Sequence, residues 1–176
     1  DGSGQTQDFG RVVVALGPWA PQFLADLGVD IPMGFERGYH MHYAGPSGSS
    51  HVLQRPIYDT AGGYVLSPME QGLRLSTGVE LNRCDAPMKP VQLEIAEAAA
   101  RQALPLGERL EHPLWMGRRP TLPDSRPIID EMPGRPGLWL AFGHQHIGFS
   151  TGPGTAALLA GMMLGNKNLP LNPHPF

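Results

Sequence analysis

Gly117–Gly161 reads GRRPTLPDSRPIIDEMPGRPGLWLAFGHQHIGFSTGPGTAALLAG, and the fold turns on this stretch. It predicts a strand ending in paired arginines, a Pro/Asp-rich loop, an apolar strand at Leu138–Phe142, a Gly/His-rich turn and a small-residue helix over Thr155–Leu164. A strand that feeds a glycine-rich turn into a helix aims free backbone N–H groups and a positive dipole end at one point. That geometry suits an anionic or electron-rich ligand. The arginines upstream are placed to hold a carboxylate.

Working outward, Arg11–Leu16 (RVVVAL) is a continuous β-branched run, the pattern of a strand buried on both faces of a parallel sheet. Pro18 opens a short helix that runs to Leu27 and stops at Gly28. No later segment supplies a comparable set of parallel partners. From Arg37 to Val79 the pattern becomes alternation, with Tyr39, Met41 and Tyr43 on one face and His40 and His42 on the other. Segments at His51–Asp59, Gly63–Met69 and Gly72–Gly78 follow, separated by turn signals, and together they predict an antiparallel meander. Pro90 opens a helix to about Leu104, with Ile95, Ala98, Ala99 and Gln102 at helical spacing. Pro105 and Gly107 end it. Glu111–Arg119 is a further strand. The expected class is α+β: a mainly antiparallel sheet with flanking helices, and terminal segments borrowed from a parallel α/β domain.

Composition narrows the function. The 176 residues are 41% hydrophobic, which excludes disorder, and the net charge of -3 with no long basic run argues against nucleic acid as partner. The 23 glycines and 19 prolines form no repeat and fit many tight turns between short strands. Cys84 is the only cysteine, which excludes an internal disulfide and makes a reduced, cytoplasmic setting the default. Asn82, Arg83 and Asp85 place Cys84 in a polar turn without a nearby histidine, against a nucleophilic role. No apolar run is long enough to span a bilayer. The opening DGSGQTQDFG has no initiating Met, so the chain is expected to begin inside a larger protein.

Four constellations compete for the chemistry. On the strand Trp115–Arg119, alternation puts Trp115, Gly117 and Arg119 on one face, with room at Gly117 for a ligand between indole and guanidinium. An equal alternative pairs both arginines with Asp124, Asp130 or Glu131 in a structural network. The turn Gly143–Ser150 offers backbone N–H groups to a ring or phosphate, against the plainer reading of a strand-to-helix connection with two surface histidines. The His-x-His pairs at 40/42 and 144/146 allow a zinc reading, but no matching acidic or cysteine ligands accompany them, so no metal is assigned. A Ser-His-Asp hydrolase fares worst, with no Gly-x-Ser-x-Gly elbow despite Ser47, Ser49 and Ser50.

Several segments, in order, resemble a known family. Val12-Val13-Val14-Ala15-Leu16-Gly17-Pro18-Trp19-Ala20 is similar to a late flavin-domain strand with its Gly-x-Trp turn. Arg37-Gly38-Tyr39 resembles the Arg/Lys-Gly step into a substrate-domain sheet. Gly117-Arg118-Arg119-Pro120, followed by Asp124 and Pro127-Ile128-Ile129, resembles a Gly-x-Arg-Pro…Asp…Pro-x-Ile-Gly signature. Gly143-His144 with Gly148 resembles a flavin-facing turn. The combination is that of the C-terminal portion of FAD-dependent amino-acid oxidoreductases, the group of D-amino-acid dehydrogenase, D-amino-acid oxidase and glycine oxidase.

The resemblance implies that residues 1–30 end an FAD-binding domain, 31–120 form a substrate-binding domain and 121–176 return to the FAD-binding domain. It implies Arg119 as carboxylate anchor and His146 as a second substrate contact. Gly17, Gly143, His144, Gln145, Ile147, Gly148, Phe149 and Ser150 would lie against the flavin. An amino acid or amine would pass hydride to FAD, with no side-chain base required. Asp130 departs from the pattern, standing where the family has Gly, and the Gly-rich βαβ unit is absent from this sequence. The expectation is therefore a fragment that needs its N-terminal FAD-binding segment, inactive and without tightly held FAD on its own. The whole enzyme is expected to be cytoplasmic or membrane-associated. The rival reading is a non-catalytic binding or assembly module descended from such an enzyme.

Overall fold

A computed structural model of the chain describes Gly4 and residues 6–45, 53–110 and 114–173. It divides into two compact units, residues 1–34 with 119–176 and residues 35–118.

The first unit is built on a three-stranded sheet. Strand β1 (Val12–Val14) runs parallel to β8 (Leu138–Phe142), and β7 (Ile128–Glu131) lies antiparallel on the other side of β8. The apolar segment Leu138–Phe142 thus supplies the parallel partner that the sequence pattern did not reveal. The expected two-sided burial of the valine run is corrected as well. Val14 is 3% exposed, whereas Val12 and Val13 are 43% and 40% exposed, because β1 is an edge strand with β8 as its neighbour. Gly17–Trp19 forms a 3-10 turn leading into helix α1 (Ala20–Ala25), and Gly28 ends the following turn at φ +79°. Val14, Ala20, Leu24, Met132, Leu140 and Phe142 make this unit's core.

The second unit is built on a five-stranded sheet in the order β3-β4-β5-β2-β6, with β2 at Gly34–Tyr43, β3 at Ile57–Asp59, β4 at Tyr64–Met69, β5 at Gly72–Leu81 and β6 at Trp115–Thr121, of which Gly34 and Arg119–Thr121 count with the first unit. The meander is realised for β3, β4 and β5, but β2 pairs with β5 rather than β3. Length explains the choice: β2 and β5 each have ten residues and β3 has three, so pairing the long strands closes more of the ladder. His51 and Val52, Pro46–Gly48 of the expected turn, Ser49 and Ser50, and Glu111–Pro113 fall outside the described residues. Strand β6 begins at Trp115 and runs two residues past Arg119.

The alternation in β2 is realised. Tyr39, Met41 and Tyr43 are at most 2% exposed and share a core with Leu66, Leu73 and Leu75. Helix α2 (Val91–Ala103) packs on β5 through Leu93, Ala96 and Ala100, with Ala99 the one member of the expected Ile95 row that packs beside them. Ile95 is 63% exposed. The pattern was ambiguous because the helix carries small alanines on several faces, and Leu93 anchors the true one.

Arg37 holds the sheet's interior together. Its side chain is fully buried, and a buried cation is tolerated only when its donors are met. Nε and Nη2 donate to Glu80 Oε2 at 3.2 and 2.7 Å, Nη2 donates to the Pro87 carbonyl at 2.8 Å, and Nη1 donates to the Ala86 carbonyl. Tyr39 Oη donates to the same Glu80 oxygen at 2.5 Å and accepts from Lys89 N–H at 3.0 Å. Hydrogen bonds from Tyr39, then Asn82 and Arg37, pull the Glu80 carboxyl down from 4.5 to about 2. A lowered folded-state value means stability that is complete above pH 4.5 and lost as pH falls towards 2. Glu80→Gln should therefore flatten the acid limb of a Tm-against-pH curve between those limits, and an unchanged limb would contradict the assignment. Arg37→Ala strands the carboxylate and should cost about 3–5 kcal/mol in urea unfolding.

Candidate functional site

All ten residues singled out from the sequence lie in the first unit. Because β1 and β8 run parallel, the turn at Gly17 and the turn at Gly143 leave the sheet at the same end. Open α/β sheets bind ligands at the carboxyl ends of their strands. Gly17 turns the chain at φ +54° with open space around it, and the 3-10 turn it begins touches β8.

The second turn is more constrained. Gly143 is buried at φ +89°, and a Cβ there would meet Leu122 Cδ1 at 2.6 Å, so glycine is demanded twice over. His144 bridges to Thr121 across to the end of β6, and the Gln145 N–H donates to the Pro120 carbonyl at 3.0 Å. These bonds fasten the turn one residue beyond Arg119. Gln145 sits at φ +53°, left-handed backbone that costs a side-chain-bearing residue about 1 kcal/mol or more. Its Nε2 and the Thr121 hydroxyl are buried without a partner among the described residues. His144 and Thr155 share a 2.9 Å hydrogen bond between Nε2 and Oγ1, and burial lowers the His144 pKa, favouring the neutral ring. His146 and Ile147 are exposed.

Helix α3 spans Gly148–Met163, seven residues earlier than the expected start at Thr155. Gly148, Gly152, Pro153 and Gly154 disguised it, since each is a poor helix former in isolation. Gly148, Phe149 and Ser150 thus form its first turn. Their N–H groups have no intrahelical acceptor, Thr151 is the first to bond back, to the Ile147 carbonyl at 3.0 Å, and no side chain caps the end. Phe149 is fully exposed. A cavity of about 340 Å³ opens beside the turn, lined by His144, Ile147, Ser150, Thr151, Thr155 and Leu158 among others.

The arginines part company. Arg118 Nε donates to the Cys84 carbonyl at 2.7 Å, while Arg119 is half-buried and has no hydrogen-bond or ion-pair partner among the described residues. The alternative acidic network does not form there. Asp124 accepts from Arg126 N–H, Asp130 from Glu131 N–H and Glu131 from Gly137 N–H. The room expected at Gly117 is filled, because the Trp115 ring lies over it. Among the described residues no three His, Cys, Asp or Glu side chains gather as a metal site, and no helix is long and apolar enough to cross a membrane. Thr121 and Thr155 escaped sequence reading, since single threonines carry no pattern.

With this geometry in view, comparison decides the family: the FAD dependent oxidoreductase model matches residues 1–162. The chain belongs to that family. It is 32% identical over 159 residues to a D-amino acid dehydrogenase from Dechloromonas aromatica, covering 90% of this chain and 38% of the relative. It is 28% identical over 167 residues to a glycine oxidase from Pseudomonas aeruginosa, covering 94% and 44%. Among solved structures, glycine oxidase from Geobacillus kaustophilus superposes with TM-score 0.72 at 22% identity over 94% of this chain and 44% of its own. An L-amino acid deaminase from Proteus vulgaris gives 0.68 at 23% identity over 94% and 41%. The chain thus spans about two fifths of the relatives' length, and the structures confirm the α+β family fold.

Backbone conformation yields a graded test. Gly143→Ala meets both strain and the Leu122 collision, whereas Gly17→Ala meets strain alone. Thermal unfolding should show Gly17→Ala costing about 1–2 kcal/mol and Gly143→Ala clearly more. Equal losses would refute the packing argument.

Proposed function

We propose that the chain is the C-terminal part of an oxidoreductase that oxidises amino acids or related amines with FAD, the second unit forming the substrate-binding part and the first belonging to the flavin-binding domain. One observation carries the reading. The Gln145–Pro120 backbone bond fastens the glycine-rich turn beside Arg119, whose guanidinium has no partner among the described residues. A carboxylate anchor and an N–H-rich turn are the two elements such chemistry needs side by side.

The residues fit a flavin ring. Gly143, where no Cβ is tolerated, permits close backbone approach, and the Gln145 amide retains an unmet buried donor. The first-turn N–H groups of α3 present positive potential to electron-rich ring atoms. When bound, FAD supplies the acceptor for hydride from the substrate carbon. Arg119 holds the substrate carboxylate in its planar fork and so orients that carbon. His146, exposed at the turn's outer edge, offers a second contact to substrate. His144, bonded to Thr155, keeps the turn's shape and needs no proton transfer.

Kinetics of the intact protein test this assignment. Arg119→Ala should raise KM for the amino acid by at least about tenfold while the flavin absorption spectrum and flavin content remain those of the parent. Unchanged steady-state constants would remove Arg119 from the site. Intact protein that neither carries flavin nor turns over any amino acid would favour the assembly-module alternative.

A further inference from the structure

Strand β7 forms one edge of the first unit's sheet, and the phase of its ladder decides what that edge presents. Glu131 lies opposite Trp139, and the Met132 N–H donates to the Leu138 carbonyl at 2.7 Å. Bonded and non-bonded pairs alternate along an antiparallel ladder. Ile128 and Asp130 are therefore the residues that bond to β8, and Ile129 and Glu131 turn their peptide groups outward. Asp130 Oδ1 accepts the outward N–H of Glu131 at 2.7 Å. The Ile129 N–H, the Ile129 carbonyl and the Glu131 carbonyl have no partner among the described residues.

A cavity of about 650 Å³ follows this edge. Successive strand residues point to opposite faces, so a space lined by Ile128, Ile129 and Asp130 together runs along the strand's side rather than over one face. Leu122, Leu158 and Pro173 add apolar walls. Asp124 and Asp130 bring two carboxylates against the single guanidinium of Arg126, so the lining is negative. Each carboxylate has one oxygen engaged by a backbone N–H, Asp124 by that of Arg126 at 3.1 Å and Asp130 by that of Glu131. Neither forms an ion pair among the described residues.

We propose that this trough receives an extended peptide with a basic side chain, added to the sheet as a strand along β7. Strand addition draws affinity from backbone bonds to an open edge and selectivity from side-chain sites beside it. Both are present. Four strand residues at about 3.3 Å each suit a peptide of four or five residues. A charge at a strand edge ordinarily guards against indiscriminate pairing. Asp130 does so selectively, because its carboxylate sits over an outward N–H on the edge itself. An acidic newcomer meets a like charge there, whereas lysine or arginine meets an unpaired acceptor oxygen. A compact small molecule has too few donors and acceptors in line to satisfy the open edge groups. The site rests on β7 and its trough, and is independent of the flavin assignment.

Fluorescence anisotropy of the complete chain with a labelled, end-capped peptide Leu-Lys-Val-Lys-Leu tests the proposal. This peptide should bind saturably and at least about tenfold more tightly than the same peptide with glutamate in place of lysine. Methylating alternate backbone nitrogens of the peptide should abolish binding in one phase and leave it in the other, since only one row faces β7. Asp130→Asn should weaken the lysine peptide about two- to fivefold and narrow its lead over the glutamate peptide. Ile129→Pro removes an outward N–H and no bond to β8, so a folded variant should bind at least about fivefold more weakly. Absence of saturable binding by the parent chain would overturn the proposal. So would equal binding of the glutamate peptide, or both methylated peptides binding like the unmodified one. Self-association of the chain that Ile129→Pro abolishes, seen by sedimentation velocity, would assign the edge to a second copy and equally overturn it.

Discussion

A buried guanidinium with its donors met is the constraint on which the five-stranded sheet depends. Arg37 on β2 binds Glu80 on β5 and the carbonyls of Ala86 and Pro87, which lead towards α2. Any other register of β2 on β5 would part the charges and leave a cation in the interior, at a cost of several kcal/mol. The interaction therefore acts less as glue than as a pin. It selects one alignment, and that alignment places Tyr39, Met41 and Tyr43 in the core and His40 and His42 on the opposite face.

A comparable economy governs the first unit. A short turn must reverse direction within a packed sheet end, and it does so with Gly143 in left-handed conformation and Gln145 strained beside it. Strain of this kind persists only where surrounding bonds over-determine the backbone, and here they run to Pro120 and Thr121 at the end of β6. The turn and the segment Arg119–Thr121 are consequently held together within the first unit, although some twenty residues separate them in sequence.

Much of this was legible from residues alone. Alternation in Arg37–Tyr43 gave the core face of β2 because a half-buried antiparallel strand imposes period two. The valine run gave a strand and a parallel environment, but not its partner, since pairing depends on residues more than a hundred positions away. Helix α3 was half hidden because propensity speaks against Gly148–Gly154 while tertiary position forms the helix anyway. The site residues of the turn were visible through their glycines. The fates of Arg118 and Arg119 were not, because neighbouring arginines look alike until one finds a carbonyl to hold.

The exposed side of β1 has a consequence for handling the chain. Val12–Val14 carries no charge, no proline and no bulge, and its outer row of peptide groups meets no strand among the described residues. Such an edge is a template on which another chain can add a strand. Its exposed side chains are Val12 and Val13, since Val14 belongs to the core. A lysine at Val12 or Val13, both outside the core that holds Val14, would blunt this edge while leaving both cores untouched.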